Sequence, residues 1–308
     1  MASLSDQSCY SVAICPALRS NMGMATLMPA APADTTEQLI DLPTGVTLRV
    51  LTRGEGTPLV LVPGWTCTAD FFTHQLDGLA EDFRVVTFDP RGHGGSSKPT
   101  DGNTFTQRGK DLAALIDALG LDRPIILGWS FGAFDILAYL RDHGSDAVRG
   151  VVICDETPKC PADPTNPDDW GEAPLAPDGM PALLRLMIDD RLGFWTWYAK
   201  YMIGLPEDTA DDHPDVARIV ELGMQAPDYV AIMTAADGVS SDFTETAEAV
   251  DAAVPTLFIA RDDWADDARR WVGAHMPQAS FVTMPTHMGF VNDPQGFNGA
   301  LREFAARA

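Results

Sequence analysis

The sequence predicts an α/β fold: a mostly parallel, doubly wound sheet with a helical cap inserted into it. Three observations carry this. From about residue 37, apolar runs of strand length alternate with amphipathic helical stretches, the pattern of a parallel sheet covered on both faces. One such run, Pro124-Ile125-Ile126-Leu127, passes through Gly128-Trp129-Ser130-Phe131-Gly132 into Ala133 to Leu140, which is apolar at helical spacing. The alternation then stops near residue 159 and resumes near 246, which marks an insertion.

In chain order, residues 1 to about 35 hold Met1, Met22, Met24 and Met28 and end in Pro29-Ala30-Ala31-Pro32-Ala33. An export signal needs a basic start and a continuous apolar stretch of about 7–15 residues. Arg19 and the run from Met22 to Ala31 match this poorly, with Pro29 interrupting. The segment reads as a disordered leader, or as residues upstream of a true start at Met22 or Met24. The expected location is cytoplasmic, with a weak export signal as the alternative.

Val46 to Leu51 alternates like an edge strand, and Gly54-Glu55-Gly56 turns the chain. Leu59 to Val62 is continuously apolar, as in a strand covered on both faces. Phe83 to Phe88 is the next strand, Asp111 to Leu119 an amphipathic helix, Ile125 to Leu127 a strand and Val151 to Cys154 another. The insertion opens on Pro158, Pro161, Pro164 and Pro167 and turns helical and aromatic from Leu183 to Leu205. Strands return at Thr256 to Ala260 and Ser280 to Met284, before a last helix from Gly296 to Ala306. Residues 36–158 and 246–308 therefore form the core and 159–245 the cap, set over the sheet's carboxyl edge.

Composition narrows the partners. Apolar residues make up 45% of the chain and charged residues 21%, ordinary for a globular protein. The 44 acidic residues against 21 basic give a net charge of −23, which repels nucleic acid and anionic membranes. The expected partner is a small apolar molecule, bound by a monomer or homodimer. Five cysteines without a CxxC pair or zinc spacing indicate neither a disulfide framework nor a metal site, and no cofactor is implied. Cys154, inside an apolar strand, reads as a small core residue.

Gly128 to Gly132 carries the chemistry. Glycines flanking Ser130 permit a strained turn that exposes its hydroxyl at a strand's carboxyl end. A serine nucleophile needs a base, and the base an orienting group. Of the six histidines, His287 lies in Met284-Pro285-Thr286-His287-Met288-Gly289-Phe290, between the last strand and the last helix, on the sheet edge that carries Ser130. His143 and His275 fall near helix ends and read as surface residues. His93 lies in Asp89-Pro90-Arg91-Gly92-His93-Gly94-Gly95-Ser96, a turn whose glycines let backbone pass close to Ser130.

Together, Pro63-Gly64-Trp65, Asp89 to Ser96, Gly128 to Gly132 and His287, in this order over residues 40 to 308, resemble the α/β-hydrolases. The resemblance implies cleavage of esters, lactones, thioesters, amides or activated carbon–carbon bonds. It also implies an oxyanion hole made by the backbone amides of Trp65 and Phe131. The usual place of the acid, beyond Thr256 to Ala260, falls on Trp264, between Asp262, Asp263, Asp266 and Asp267. A minority of the superfamily carries the acid one strand earlier, and there the chain reads Cys154-Asp155-Glu156-Thr157-Pro158. Asp155 is the expected acid, with Glu156 and then Asp262 or Asp263 as alternatives.

Two groups with the earlier acid are similar in further detail. Zearalenone-type lactonases share Phe83 to Asp89, Glu156-Thr157-Pro158 and the spacing of His287 to Pro294; aligned on them, the acid falls on Glu156. Cofactor-free hydroxyquinolone dioxygenases share Pro63-Gly64-Trp65, Asp82-Phe83-Arg84-Val85 and Pro285-Thr286-His287. They typically carry His where this chain has Phe131 and lack the glycine at 128, so oxygen chemistry is the alternative reading and not the first. Non-haem perhydrolases resemble the N-terminal half but use the later acid. A non-catalytic small-molecule binding protein is a third class, opposed by the presence of serine, histidine and acid together. The expected activity is hydrolysis of a mid-sized apolar ester or lactone, with pocket walls drawn from Trp129, Trp195, Trp197, Tyr198, Met202 and Met288.

Overall fold

A computed structural model describes residues 26–308 apart from 161, 164, 167, 168 and 171–179, with only the backbone of 180–183. Most of the expected leader, and Pro161, Pro164, Pro167 and the Leu183 side chain of the expected cap, lie outside the described residues.

Eight strands form one sheet: β1 (Thr36–Asp41), β2 (Thr47–Arg53), β3 (Thr57–Val62), β4 (Phe83–Phe88), β5 (Ile125–Trp129), β6 (Gly150–Cys154), β7 (Thr256–Arg261) and β8 (Ser280–Met284). Their order is β1-β2-β4-β3-β5-β6-β7-β8. β1 pairs antiparallel with β2, and β2 antiparallel with β4. Every later pairing is parallel. The helices are α1 (Thr73–Leu79), α2 (Phe105–Ala118), α3 (Gly132–His143), α4 (Met180–Asp189), α5 (Arg191–Met202), α6 (Pro214–Gly223), α7 (Asp228–Val239), α8 (Thr244–Ala253), α9 (Ala265–His275), α10 (Gly289–Asn292) and α11 (Pro294–Ala305).

The continuous apolar runs occupy the middle of the sheet. Leu59 to Val62, all of β5, all of β6 and all of β7 are buried, as two-sided helical cover requires. β3 lies between β4 and β5, so chain order reverses there, and the crevice at the strands' carboxyl ends is where such folds place ligands.

Two expectations need correction. The expected strand Val46 to Leu51 overlaps β2, which is not the edge, because β1 pairs along its outer side. β1 is almost entirely exposed, and its two apolar residues, Leu39 and Ile40, are adjacent and give no alternation to find it by. The ordered chain also begins before residue 36. Thr26 Oγ1 and the Leu27 amide donate to Asp215 Oδ1 at 2.8 and 2.7 Å, and Met28 is buried in the core. This short segment is held by Asp215, by His74 Nε2 on Leu27 O at 2.7 Å and by the Met28 side chain, contacts with no periodicity for the sequence to register.

Between β6 and β7 the chain leaves the sheet for α4 to α8. The Trp65 indole N–H donates to Ala231 O and Thr234 Oγ1 of α7 at 2.9 and 3.1 Å, and Met288 N donates to Met202 O of α5 at 3.0 Å. The helices thus close on the loops that follow β3 and β8, at the sheet's carboxyl edge.

Candidate active site

β5 and β6 end alike. Past each strand the parallel ladder runs on for one residue: Ser130 N donates to Cys154 O at 2.9 Å and Asp155 N to Ile259 O at 2.7 Å. That residue then takes a left-handed conformation, φ 52° at Ser130 and 54° at Asp155. Such backbone costs a residue with a side chain roughly 1–3 kcal/mol, and it turns that side chain off the strand's alternation. At Ser130 the turn also needs Gly132, where a Cβ would lie 2.4 Å from Val62 O.

The loop after β3 approaches the same point. A Cβ on Gly64 would lie 2.9 Å from Ser130 Cβ, so only glycine lets Trp65 sit beside the serine. His93 holds this loop, its Nε2 accepting from Thr66 N at 3.1 Å while Nδ1 donates to Arg91 O at 2.7 Å. That tautomer is neutral, and burial, reinforced by the Arg108 charge, pushes the ring down to about 3. Among the described residues, the amides of Trp65 and Phe131 make no hydrogen bond. Two unengaged N–H groups beside a strained serine leave two hydrogen-bond donors free at that point.

His287 arrives on the loop after β8. Its carbonyl accepts the Trp129 indole N–H at 2.8 Å, which straps the loop to the residue before Ser130. Its Nδ1 lies 2.6 Å from Asp155 Oδ2, with both side chains buried. Asp155 is held from below by Arg261, the last residue of β7: Arg261 N donates to Oδ1 at 2.7 Å and Nη1 to Oδ2 at 2.9 Å. Burial alone would raise the Asp155 carboxyl, but the Arg261 charge and the bonds from His287 and Arg261 N overcome it and hold it below the usual carboxylate value. An ionised acceptor on Nδ1 keeps the proton there and leaves Nε2 as the basic nitrogen.

The alternative acids sit otherwise. Glu156 is buried, and its Oε1 accepts from the Thr157 amide at 2.9 Å. Asp262 and Asp263 are exposed on the turn after β7, where Asp263 meets Arg261 Nε at 3.1 Å. The carboxylate bonded to His287 Nδ1 is that of Asp155.

An aromatic wall stands above Ser130. The Trp65 ring meets Phe131, Phe194, Trp195 and Tyr198 at centroid distances of 6.3, 6.0, 5.8 and 6.4 Å, and Tyr198 lies 6.5 Å from the His287 ring. Of the expected pocket residues, Trp195 and Tyr198 join this wall. Met202 and Met288 are fully buried beside it, linked through their backbones. Trp129 does not line it: the ring packs on Phe71, Phe72 and Phe290, and its N–H is spent on the His287 loop. Trp197 stands 45% exposed, stacked on Tyr201. Trp197 departs from expectation because helical rotation leaves it open to solvent, and Trp129 because its ring is packed under the His287 ring, 5.2 Å away.

Ser130 is only 6% exposed and His287 3%. Two surface grooves, about 490 Å³ beside Arg53 and Asp77 and about 690 Å³ beside Leu192 and Val220, include neither residue. Sequence reasoning missed Arg261 and the anchoring role of His93. The signal for Arg261 was a cation closing the otherwise apolar strand Thr256 to Ala260.

Comparison with known proteins places these features in context. Residues 57–182 match the family model described as alpha/beta hydrolase fold. A putative non-heme chloroperoxidase of Synechocystis is 29% identical over 217 residues, covering 68% of this chain and 74% of that protein. The bifunctional esterase/perhydrolase DCH of Acinetobacter calcoaceticus is 34% identical over 96 residues, 31% of this chain and 35% of that protein. Among solved structures, an esterase from Exiguobacterium antarcticum superposes with a TM-score of 0.77 at 21% identity, covering 88% of this chain and all of that one. A bromoperoxidase from Bacillus anthracis gives 0.77 at 21% identity, covering 87% and 99%. At such identities the solved structures speak for fold alone.

Proposed function

This chain belongs to the α/β-hydrolase superfamily, and from that premise we propose that it is a serine hydrolase cleaving a mid-sized apolar ester or lactone through an acyl-enzyme. The observation that carries the reading is the buried 2.6 Å contact between His287 Nδ1 and Asp155 Oδ2, set beside a serine in strained backbone at φ 52°. The bifunctional esterase/perhydrolase among the relatives supports it in outline.

Asp155 holds His287 in the tautomer whose Nε2 can take a proton. His287 removes the Ser130 proton as Oγ attacks the carbonyl, and the amides of Trp65 and Phe131 receive the oxyanion. His287 then protonates the leaving alkoxide. Water, deprotonated by the same nitrogen, releases the acid and restores Ser130. The helices between β6 and β7 act as a cap, and the wall of Trp65, Phe194, Trp195 and Tyr198 favours apolar acyl or alcohol groups.

The test is a panel of p-nitrophenyl esters and lactones of increasing size, assayed with wild type and Ser130→Ala. We expect turnover of the apolar members by wild type and none by the variant. Equal turnover by a folded Ser130→Ala protein sinks the reading.

A further inference from the structure

Arg261 has a place in this site that neither the motifs nor the mechanism above assigns. It closes β7, in the region where most of the superfamily carries the acid, and its side chain is 4% exposed. The guanidinium lies 3.3 Å from the Trp264 ring centroid and 5.4 Å from that of Tyr201. Trp264 itself fills the usual acid position, so an aromatic ring there covers a cation.

The atoms around Asp155 are divided with some economy. Oδ1 takes the Arg261 backbone amide, and Oδ2 takes both Arg261 Nη1 and His287 Nδ1. Nη1 also lies 3.2 Å from Nδ1. Both nitrogens carry protons toward Oδ2, so that approach is a tolerated crowding of donors and not a bond. The shared oxygen brings Asp155, Arg261 and His287 into mutual contact.

Resting on the reading above, we propose that Arg261 is a positioning residue for the Asp155–His287 pair, fixing the carboxylate from two sides so that one oxygen serves the imidazole. A carboxylate on a strained backbone, φ 54°, with a single partner can rotate away. Two donors from one residue on the neighbouring strand prevent it. The guanidinium reaches Asp155 through Nη1 and Asp263 through Nε, so its planar group is itself held in orientation, which a flexible ammonium would not be. It also keeps a completely buried carboxylate ionised, so the orienting group survives acidification.

Among the described residues, the titratable or charged groups facing His287 are Asp155 after β6, Arg261 on β7 and Tyr198 on α5. β5 contributes only Trp129. Removal of Arg261 leaves burial acting on Asp155 without its main counterweight, so the carboxylate protonates at higher pH. The acid limb of the rate profile then moves upward.

The experiment compares Arg261→Met and Arg261→Lys with wild type by two readouts. The first is kcat and KM against pH on the best ester of the panel. Arg261→Met should lower kcat about 10²-fold with KM little changed, and should raise the acid limb by about one pH unit or more. Arg261→Lys should keep the wild-type limb, because the charge remains, while kcat falls. The second readout needs no turnover: the far-downfield proton resonance of His287 Nδ1, assigned by its loss in His287→Gln. It should vanish at higher pH in Arg261→Met than in wild type, and Arg261→Lys should restore it.

A purely structural ion pair would lower stability without moving either the limb or the resonance. A folded Arg261→Met protein with the wild-type limb and resonance overturns the proposal. If that variant does not fold, a folded Arg261→Lys protein with wild-type kcat does so. Should the ester panel fail, the serine hydrolase reading falls, and the resonance still decides the role of Arg261.

Discussion

Two buried aspartate–arginine pairs lie near Ser130, and they behave in opposite ways. Asp155 meets Arg261 at 2.9 Å, and Asp135, one turn into α3, meets Arg108 of α2 at 2.7 Å. All four side chains are nearly inaccessible. Yet Asp155 is held below the usual carboxylate value, while burial pushes Asp135 up to about 7 despite Arg108. Asp155 also collects a backbone amide and an imidazole. Among the described residues, the Asp135 carboxylate has one bond, from Arg108 Nη2 to Oδ2, with Oδ1 unpartnered, and the charges of Asp111 and Asp237 raise it further. Donors to the carboxylate, and not the mere presence of an arginine, decide whether a buried aspartate stays ionised. Only the first pair can orient a histidine.

The sharpest way to break this contrast is to remove one charge at a time. Asp155→Asn should cut kcat about 10⁴-fold with the fold intact, the scale of losing a triad acid. Asp135→Asn should leave kcat within about tenfold. Comparable losses in both would make the pairs equivalent and the comparison empty.

Stability against pH should separate the pairs by sign. The stability contributed by ionised Asp155 is present above the ordinary value of 3.8 and is lost as pH falls below it, through its lowered folded value. Asp135 has the reverse dependence. Its folded value lies above 3.8, so ionisation penalises the fold progressively as pH rises from about 4 through about 7. Melting temperatures of wild type and Asp135→Asn should therefore diverge at pH 8, with the variant higher, and converge near pH 4. A gap independent of pH would show that Asp135 does not titrate in this range.

Smaller effects sharpen the map of the site. Glu156→Gln should stay within about tenfold of wild-type kcat, since its Oε1 accepts from its own neighbour's amide; a loss matching Asp155→Asn would move the orienting role to Glu156. Trp197→Ala, at an exposed position, should change stability by about 0.5 kcal/mol or less and leave the KM for apolar esters unchanged.

These contrasts also explain what could be read from the chain alone. Gly128, Ser130 and Gly132 are legible because a backbone too crowded for a Cβ demands glycine at fixed spacing. His287 is legible from its place between the last strand and the last helix. The central strands announce themselves by apolar runs, whereas β1, exposed and with only two adjacent apolar residues, does not. Asp155 could be put first at a strand end, but Glu156 beside it stayed an alternative, because the left-handed backbone that separates their directions leaves no mark in composition. Arg261 was hidden for a longer-range reason. Its partner lies 106 residues away in sequence, and the two meet only because the sheet sets β6 beside β7.

The most direct test of the central claim is the rate at which a fluorophosphonate modifies the intact protein, with the labelled residue located by mass spectrometry. An activated serine predicts labelling at Ser130 in wild type, none in His287→Ala, and labelling slowed by orders of magnitude in Asp155→Asn. Folded wild-type protein that stays unlabelled, or an Asp155→Asn variant labelled as fast as wild type, would contradict the account.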